Sequence, residues 1–83
     1  MGEIDLIMKD GSEVVFVEVR YRAHEDSVGA VESIDRAKQR RLTRAALIWL
    51  QTQQPGDPPA RFDVVTVDPD GVTEWLRDAF EAT

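Results

Sequence analysis

No cysteine occurs among the 83 residues, which rules out a disulfide, a thiolate zinc site and a cysteine nucleophile. That composition fits a reducing cytoplasm. Histidine is nearly as scarce. His24 is the only one, and it stands with Glu25 and Asp26 in the polar stretch 22–32, which reads as a solvated loop. No apolar run approaches the ~18 residues of a membrane-crossing helix. The opening Met1-Gly2-Glu3-Ile4-Asp5 lacks the basic start of a signal peptide, and no acylation signal follows Gly2. No membrane association is expected. Cations are also in deficit, 10 against 16 acids, for a net charge of −6. A nucleic-acid partner depends on phosphate contacts, so the total alone argues against one. Chains this short form one small domain with a limited core.

The cations are unevenly placed. Residues 36–44 hold Arg36, Lys38, Arg40, Arg41 and Arg44 without an acid among them. This segment belongs to a helix expected over about 33–52, with Ser33 as N-cap and Asp35 in its first turn. At 100° per residue, Lys38, Leu42, Ala45, Ala46 and Trp49 form an apolar stripe that should pack on a sheet. Arg36, Arg40, Arg41 and Arg44 fall on the opposite side, where they either meet solvent or grip a phosphate backbone. No aromatic residue for base stacking interleaves them. Lys38 is a cation at the start of the buried stripe. It either snorkels to the edge or reaches over the sheet toward acidic partners.

Those acids lie in the first expected hairpin, residues 3–8 and 14–21 around a Gly11-Ser12 turn. Alternation puts Glu3, Asp5 and Ile7 on one face with Phe16, Glu18 and Arg20. Ile4, Leu6 and Met8 join Val15, Val17 and Val19 on the other. With Asp10 paired to Glu13, Asp5 comes opposite Glu18, their Cβ atoms about 4.5–5.5 Å apart. Two carboxylates that close repel unless a cation sits between them. A hard divalent ion such as Mg²⁺ takes oxygen ligands and suits the place. A chance pair on a solvated hairpin face is the plainer reading. Against it, both runs are apolar enough to be buried on both faces, and acids there need partners.

A proline-rich loop at 51–60 precedes a third strand over 61–68. In it Phe62, Val64 and Thr66 share one face and Asp63, Val65 and Val67 the other. Asp63 is a third acid in an apolar run, which either caps, pairs with an arginine or lies near the acidic site. Asp68-Pro69-Asp70-Gly71 signals a turn. Beyond it Val72, Trp75, Leu76, Ala79 and Phe80 fit helical spacing, yet a strand with a final half-turn is equally open. The expected architecture is α/β, a mixed three- to four-stranded sheet with one long helix packed on it.

GEIDLI at 2–7, FVEVR at 16–20, the Lys-bearing helix and RFDVV at 61–65 together resemble the YraN (UPF0102) family of small bacterial proteins. The resemblance runs from Gly2 to Phe80, without the helix and strand that usually precede GEIDLI in that family. It implies a trimmed restriction-endonuclease-like core, similar also to archaeal Holliday-junction resolvases. Nucleases of this fold carry Asp, a gap, then acidic-x-Lys. Carried over, Asp5 and Glu18 are metal ligands for Mg²⁺ or Mn²⁺, and Arg20 stands at the lysine position. Arginine stays protonated, so Arg20 would hold phosphate or stabilise developing charge and not act as a base. Lys38 would join Asp5, Glu18 and Arg20 in catalysis, with DNA, structured or branched, as the substrate. The alternative within the same resemblance is an inactive nucleic-acid-binding module. A third reading is a protein adaptor with Trp75 and Phe80 as contacts. A homodimer is compatible with all three.

Overall fold

Gly11 and Ser12 close the first hairpin. Gly11 has φ +62°, the left-handed value that glycine adopts without a Cβ clash, in the first central position of a two-residue turn. In this computed structural model, which describes residues 3–21, 34–53 and 56–82, strand β1 spans Leu6–Asp10 and β2 spans Glu13–Tyr21. Asp10 pairs with Glu13 and Leu6 with Val17, the register expected from the turn. The strand begins three residues later than expected, because the chain bends at Glu3 and Asp5. Residues 22–33, including His24, Glu25, Asp26 and Ser33, lie outside the described residues.

Helix α1 covers Arg36–Gln53. Its N-cap is Asp35 and not the expected Ser33. The Asp35 Oδ1 accepts the Lys38 amide at 2.8 Å, and the Asp35 carbonyl accepts the Gln39 amide at 3.0 Å. Leu42, Thr43 and Ala46 are buried, with Ala45, Trp49 and Leu50 packed beside the core. Strand β3, Ala60–Asp68, returns parallel to β2, so β2, α1 and β3 form a β-α-β unit. The turn through Pro69 and Asp70 is fixed by Asp68 Oδ1, which accepts the Asp70 amide at 2.8 Å. Gly71 at φ +125° opens strand β4, Gly71–Phe80, antiparallel to β3.

The result is α/β, a four-stranded mixed sheet in the order β1-β2-β3-β4 with one long helix. The last element is a strand throughout. Its register against β3 slips twice, between Thr66 and Val67 and between Phe62 and Val64, and Asp78 takes φ +51° in the second irregularity. Bulges insert unpaired residues and break strict alternation, which is why Trp75, Leu76, Ala79 and Phe80 mimic helical spacing.

The core lies between α1 and one face of the sheet. Ile4, Val14, Phe16, Ile34, Leu42, Ala46, Phe62, Val64 and Phe80 make one buried cluster. Phe62 stacks on Phe80 at 4.8 Å, and Phe16 meets Trp49 edge-on at 5.8 Å. Each fully buried side chain of this size contributes about 1.5–3 kcal/mol. The helix therefore covers the face that carries Ile7, Phe16 and Glu18. Ile4 joins it, contrary to simple alternation, because it lies within the bend. The expected apolar face holds the smaller cluster of Val15, Val17 and Val65, with Leu6 and Met8 48% and 40% exposed beside it. Strand β1 is thus an edge strand open on one face, and not buried on both. Among the described residues no helix is long and apolar enough to cross a membrane.

Candidate active site

Glu18 sits near the end of β2, on the face under α1, and its side chain is only 7% exposed. The burial follows from its neighbours, since every residue from Val14 to Val17 is buried too. Asp5 reaches it from the bend before β1. In place of a ladder partner, Asp5 uses Oδ2 to accept the Val19 amide at 2.9 Å. This clamps a carboxylate beside Glu18, one position beyond the last β1–β2 pair. Burial pushes the Glu18 carboxyl above its ordinary range, and the adjacent Asp5 adds to that. Lys38 and Arg20 pull the other way without overcoming it.

Both cations touch the same oxygen. Lys38 Nζ is 3.7 Å and Arg20 Nε 3.8 Å from Glu18 Oε2. The other oxygen, Oε1, is buried with no hydrogen-bond partner among the described residues. A buried carboxylate oxygen without a donor is costly in a fold that has no use for it. Lys38 does not snorkel outward. It reaches over the sheet end, as the second of the two expectations had it, and donates to Glu3 Oε1 at 3.1 Å. That hydrogen bond, with the charges of Lys38 and Arg41, holds the Glu3 carboxyl below its ordinary range. Arg41 Nε is 3.6 Å from the same oxygen.

The structure thus brings Asp5, Glu18, Arg20 and Lys38 to one end of the sheet, with Glu3 as a fifth member. The Glu3–Lys38 pair spans 35 positions of sequence, so no local pattern announces it. Among the described residues no group of three or more His, Cys, Asp or Glu is arranged as a metal cage. The donor set is a carboxylate pair, which suits a small hard cation that completes its shell with water and phosphate oxygens.

The arginines divide. Arg40, Arg41 and Arg44 line a shallow cavity of about 260 Å³ on the outer face of α1, while Arg36 is exposed at the helix start and does not line it. Arg41 and Arg44 also flank a second depression of about 280 Å³ with Glu3, Ala45 and Ile48. The cationic face therefore runs up to the carboxylate cluster.

A further cavity, about 330 Å³, lies on the opposite face near Asp10, Arg61, Trp75 and Arg77. Most of its polar groups are already engaged with acidic neighbours. Arg61 donates to Asp63 through Nε (2.9 Å) and Nη2 (3.2 Å), and through Nη1 to Glu13 (2.7 Å) and Asp10 (3.0 Å). Asp63 is fully buried, as its apolar run suggested, and also accepts the Trp75 indole at 2.8 Å and the Asp78 amide at 3.0 Å. This network is a structural clasp. It removes Asp63 from the site, and it holds Trp75 half-exposed while Phe80, the other expected adaptor contact, is buried against Phe62.

Comparison with known proteins agrees with the resemblance in the sequence. The model of the uncharacterised protein family UPF0102 matches residues 1–67. A UPF0102 protein of Alkalilimnicola ehrlichii is 57% identical over 82 residues, covering 98% of this chain and 64% of its own length. One from Pseudomonas entomophila is 51% identical over 85 residues, covering 96% and 69%. One from Halorhodospira halophila is 57% identical over 79 residues, covering 95% and 62%. The chain spans about two thirds of the length of these curated relatives. With the family model covering most of it and identities near one half or above, the chain belongs to the UPF0102 family.

Proposed function

We propose that the Asp5/Glu18 cluster is a divalent-metal site for hydrolysis of phosphodiester bonds in DNA, within a restriction-endonuclease-like core. The observation that carries this reading is Glu18 Oε1, a buried carboxylate oxygen with no donor among the described residues, held beside a second carboxylate. Asp5 and Glu18 are the residues that would hold Mg²⁺ or Mn²⁺. Such an ion acidifies a water molecule and neutralises the scissile phosphate. The chain's own residues supply the rest. Arg20 stabilises the negative charge that builds on the phosphoryl oxygens as the new P–O bond forms and the old one breaks. Lys38 adds a second, more mobile cation. Arg40, Arg41 and Arg44, with Arg36 beyond them, grip the backbone that leads to the cluster. A cytoplasmic setting and a dimer through the exposed apolar positions Leu6, Met8 and Trp75 are part of the same reading.

A second reading is favoured by one residue. Arg20 occupies the place where a proton-accepting lysine would stand, and that suits a module that binds nucleic acid without turnover. One experiment separates the two. Supercoiled and branched DNA are incubated with Mg²⁺ or Mn²⁺ and the wild type, Asp5→Asn, Glu18→Gln or Arg40→Glu/Arg44→Glu. Metal-dependent nicking that disappears in the two carboxylate variants supports the enzyme. Binding without nicking, weakened only in the arginine variant, supports the module.

A further inference from the structure

Lys38 holds an unequal pair of contacts. Its ammonium makes a hydrogen bond with the half-exposed Glu3 at 3.1 Å and a longer contact with the buried Glu18 at 3.7 Å. The backbone of Lys38 is fixed, since its amide is held by Asp35 in the first turn of α1. Its four-carbon stem is not, and can swing between acceptors at little cost. The ammonium brings positive charge to the carboxylate pair, as a divalent ion would, but with one charge and no open coordination positions. A divalent ion entering between Asp5 and Glu18 would meet this charge at contact distance, where like charges repel strongly.

We infer that Lys38 is a displaceable stand-in for the divalent cation, and that Glu3 is the berth that keeps it when the ion arrives and its contact with Glu18 is given up. This rests on the metal reading above and adds a rule for how the site fills. Without the ion, Lys38 offsets part of the repulsion between Asp5 and Glu18. With the ion, Lys38 leaves Glu18 and stays on Glu3, close to where a phosphate would dock. Affinity for the ion is then set by competition with an internal residue, and is weaker than the carboxylate pair alone would give.

The test is a calorimetric titration with Mn²⁺ alone, so that no catalytic turnover is needed. Lys38→Met keeps a stem of similar length and removes the charge, and should bind Mn²⁺ about tenfold more tightly. Glu3→Gln removes the berth and should bind several-fold more weakly, because Lys38 then falls back on Glu18. The double variant should return to the Lys38→Met value, since Glu3 acts only through Lys38. Arg41→Gln removes an equal charge that touches Glu3 and not Glu18, and should shift affinity less than twofold. Thermal melting of each variant confirms that it is folded. Equal or weaker binding by Lys38→Met overturns the inference while leaving the metal reading intact, provided Asp5→Asn abolishes binding. An Arg41→Gln effect as large as that of Lys38→Met also overturns it, since the cause would then be general field and not occupancy. Absence of binding by every variant at millimolar Mn²⁺ overturns the metal reading itself, and this inference with it.

Discussion

Arg61 and Asp63 lie two residues apart on the same face of β3, and the guanidinium folds back to grip the carboxylate with two nitrogens. Burial alone would raise the Asp63 carboxyl, but hydrogen bonds from Arg61, Trp75 and the Asp78 amide outweigh it and hold it below its ordinary range. Asp63→Ala leaves the part-buried Arg61 guanidinium with only Glu13 and Asp10 and frees the end of β4. The Trp75 indole and the Asp78 amide lose their acceptor, and a loss of about 1–3 kcal/mol is expected in urea denaturation. The sign of the pH effect follows from the lowered value. Its stabilisation is present above the unfolded value of about 3.9 and drains away as pH falls through the folded one. Asp63→Asn should flatten that acid limb of the stability curve.

Glu18 runs the other way. Its folded value is raised, chiefly by burial, so its contribution favours the fold below the unfolded value of about 4.3 and fades as pH rises through the folded one. In the presence of a chelator, Glu18→Gln should melt higher than wild type at pH 7. At pH 4 the two should converge. A Gln variant less stable than wild type at pH 7 would show that the Lys38 and Arg20 contacts outweigh the burial of the charge.

The outer face of α1 gives a third expectation. Arg40 and Arg44 are exposed on the outer face of α1, so Arg40→Glu/Arg44→Glu should leave stability within about 0.5 kcal/mol. DNA affinity should fall at every sequence tested. The slope of log affinity against log salt should shrink by about one for each phosphate contact removed. Fluorescence anisotropy across a salt series reads both.

Much of this fold was legible in the sequence. Gly11-Ser12 and Asp68-Pro69-Asp70-Gly71 set two turns, and with them the hairpin register that brings Asp5 to Glu18. The apolar stripe of α1 followed from its period. Which sheet face the helix would cover did not, because alternation separates faces without saying what lies on either. Leu6 and Met8 look like core by that rule and are open to solvent. β4 stayed ambiguous for a related reason. The bulge around Asp78 is held by Asp63, 15 residues away, accepting the Asp78 amide, and no local propensity encodes that. At the site, Lys38 could be placed on the correct stripe but not aimed, since its partner Glu3 is distant in sequence.

The hydrogen bond between Asp5 Oδ2 and the Val19 amide has a consequence for ion choice. One oxygen of that carboxylate already accepts a backbone proton, which leaves Oδ1 the freer of the two to face a cation. Ca²⁺ favours six to eight oxygens and often takes both from one carboxylate, whereas Mg²⁺ accepts single oxygens in a strict octahedron. Under the proposed metal reading, a bond whose first effect is to fasten the open end of a hairpin would also make the pocket one-handed. The preference for a small ion over a large one would be written into strand pairing rather than into any added ligand.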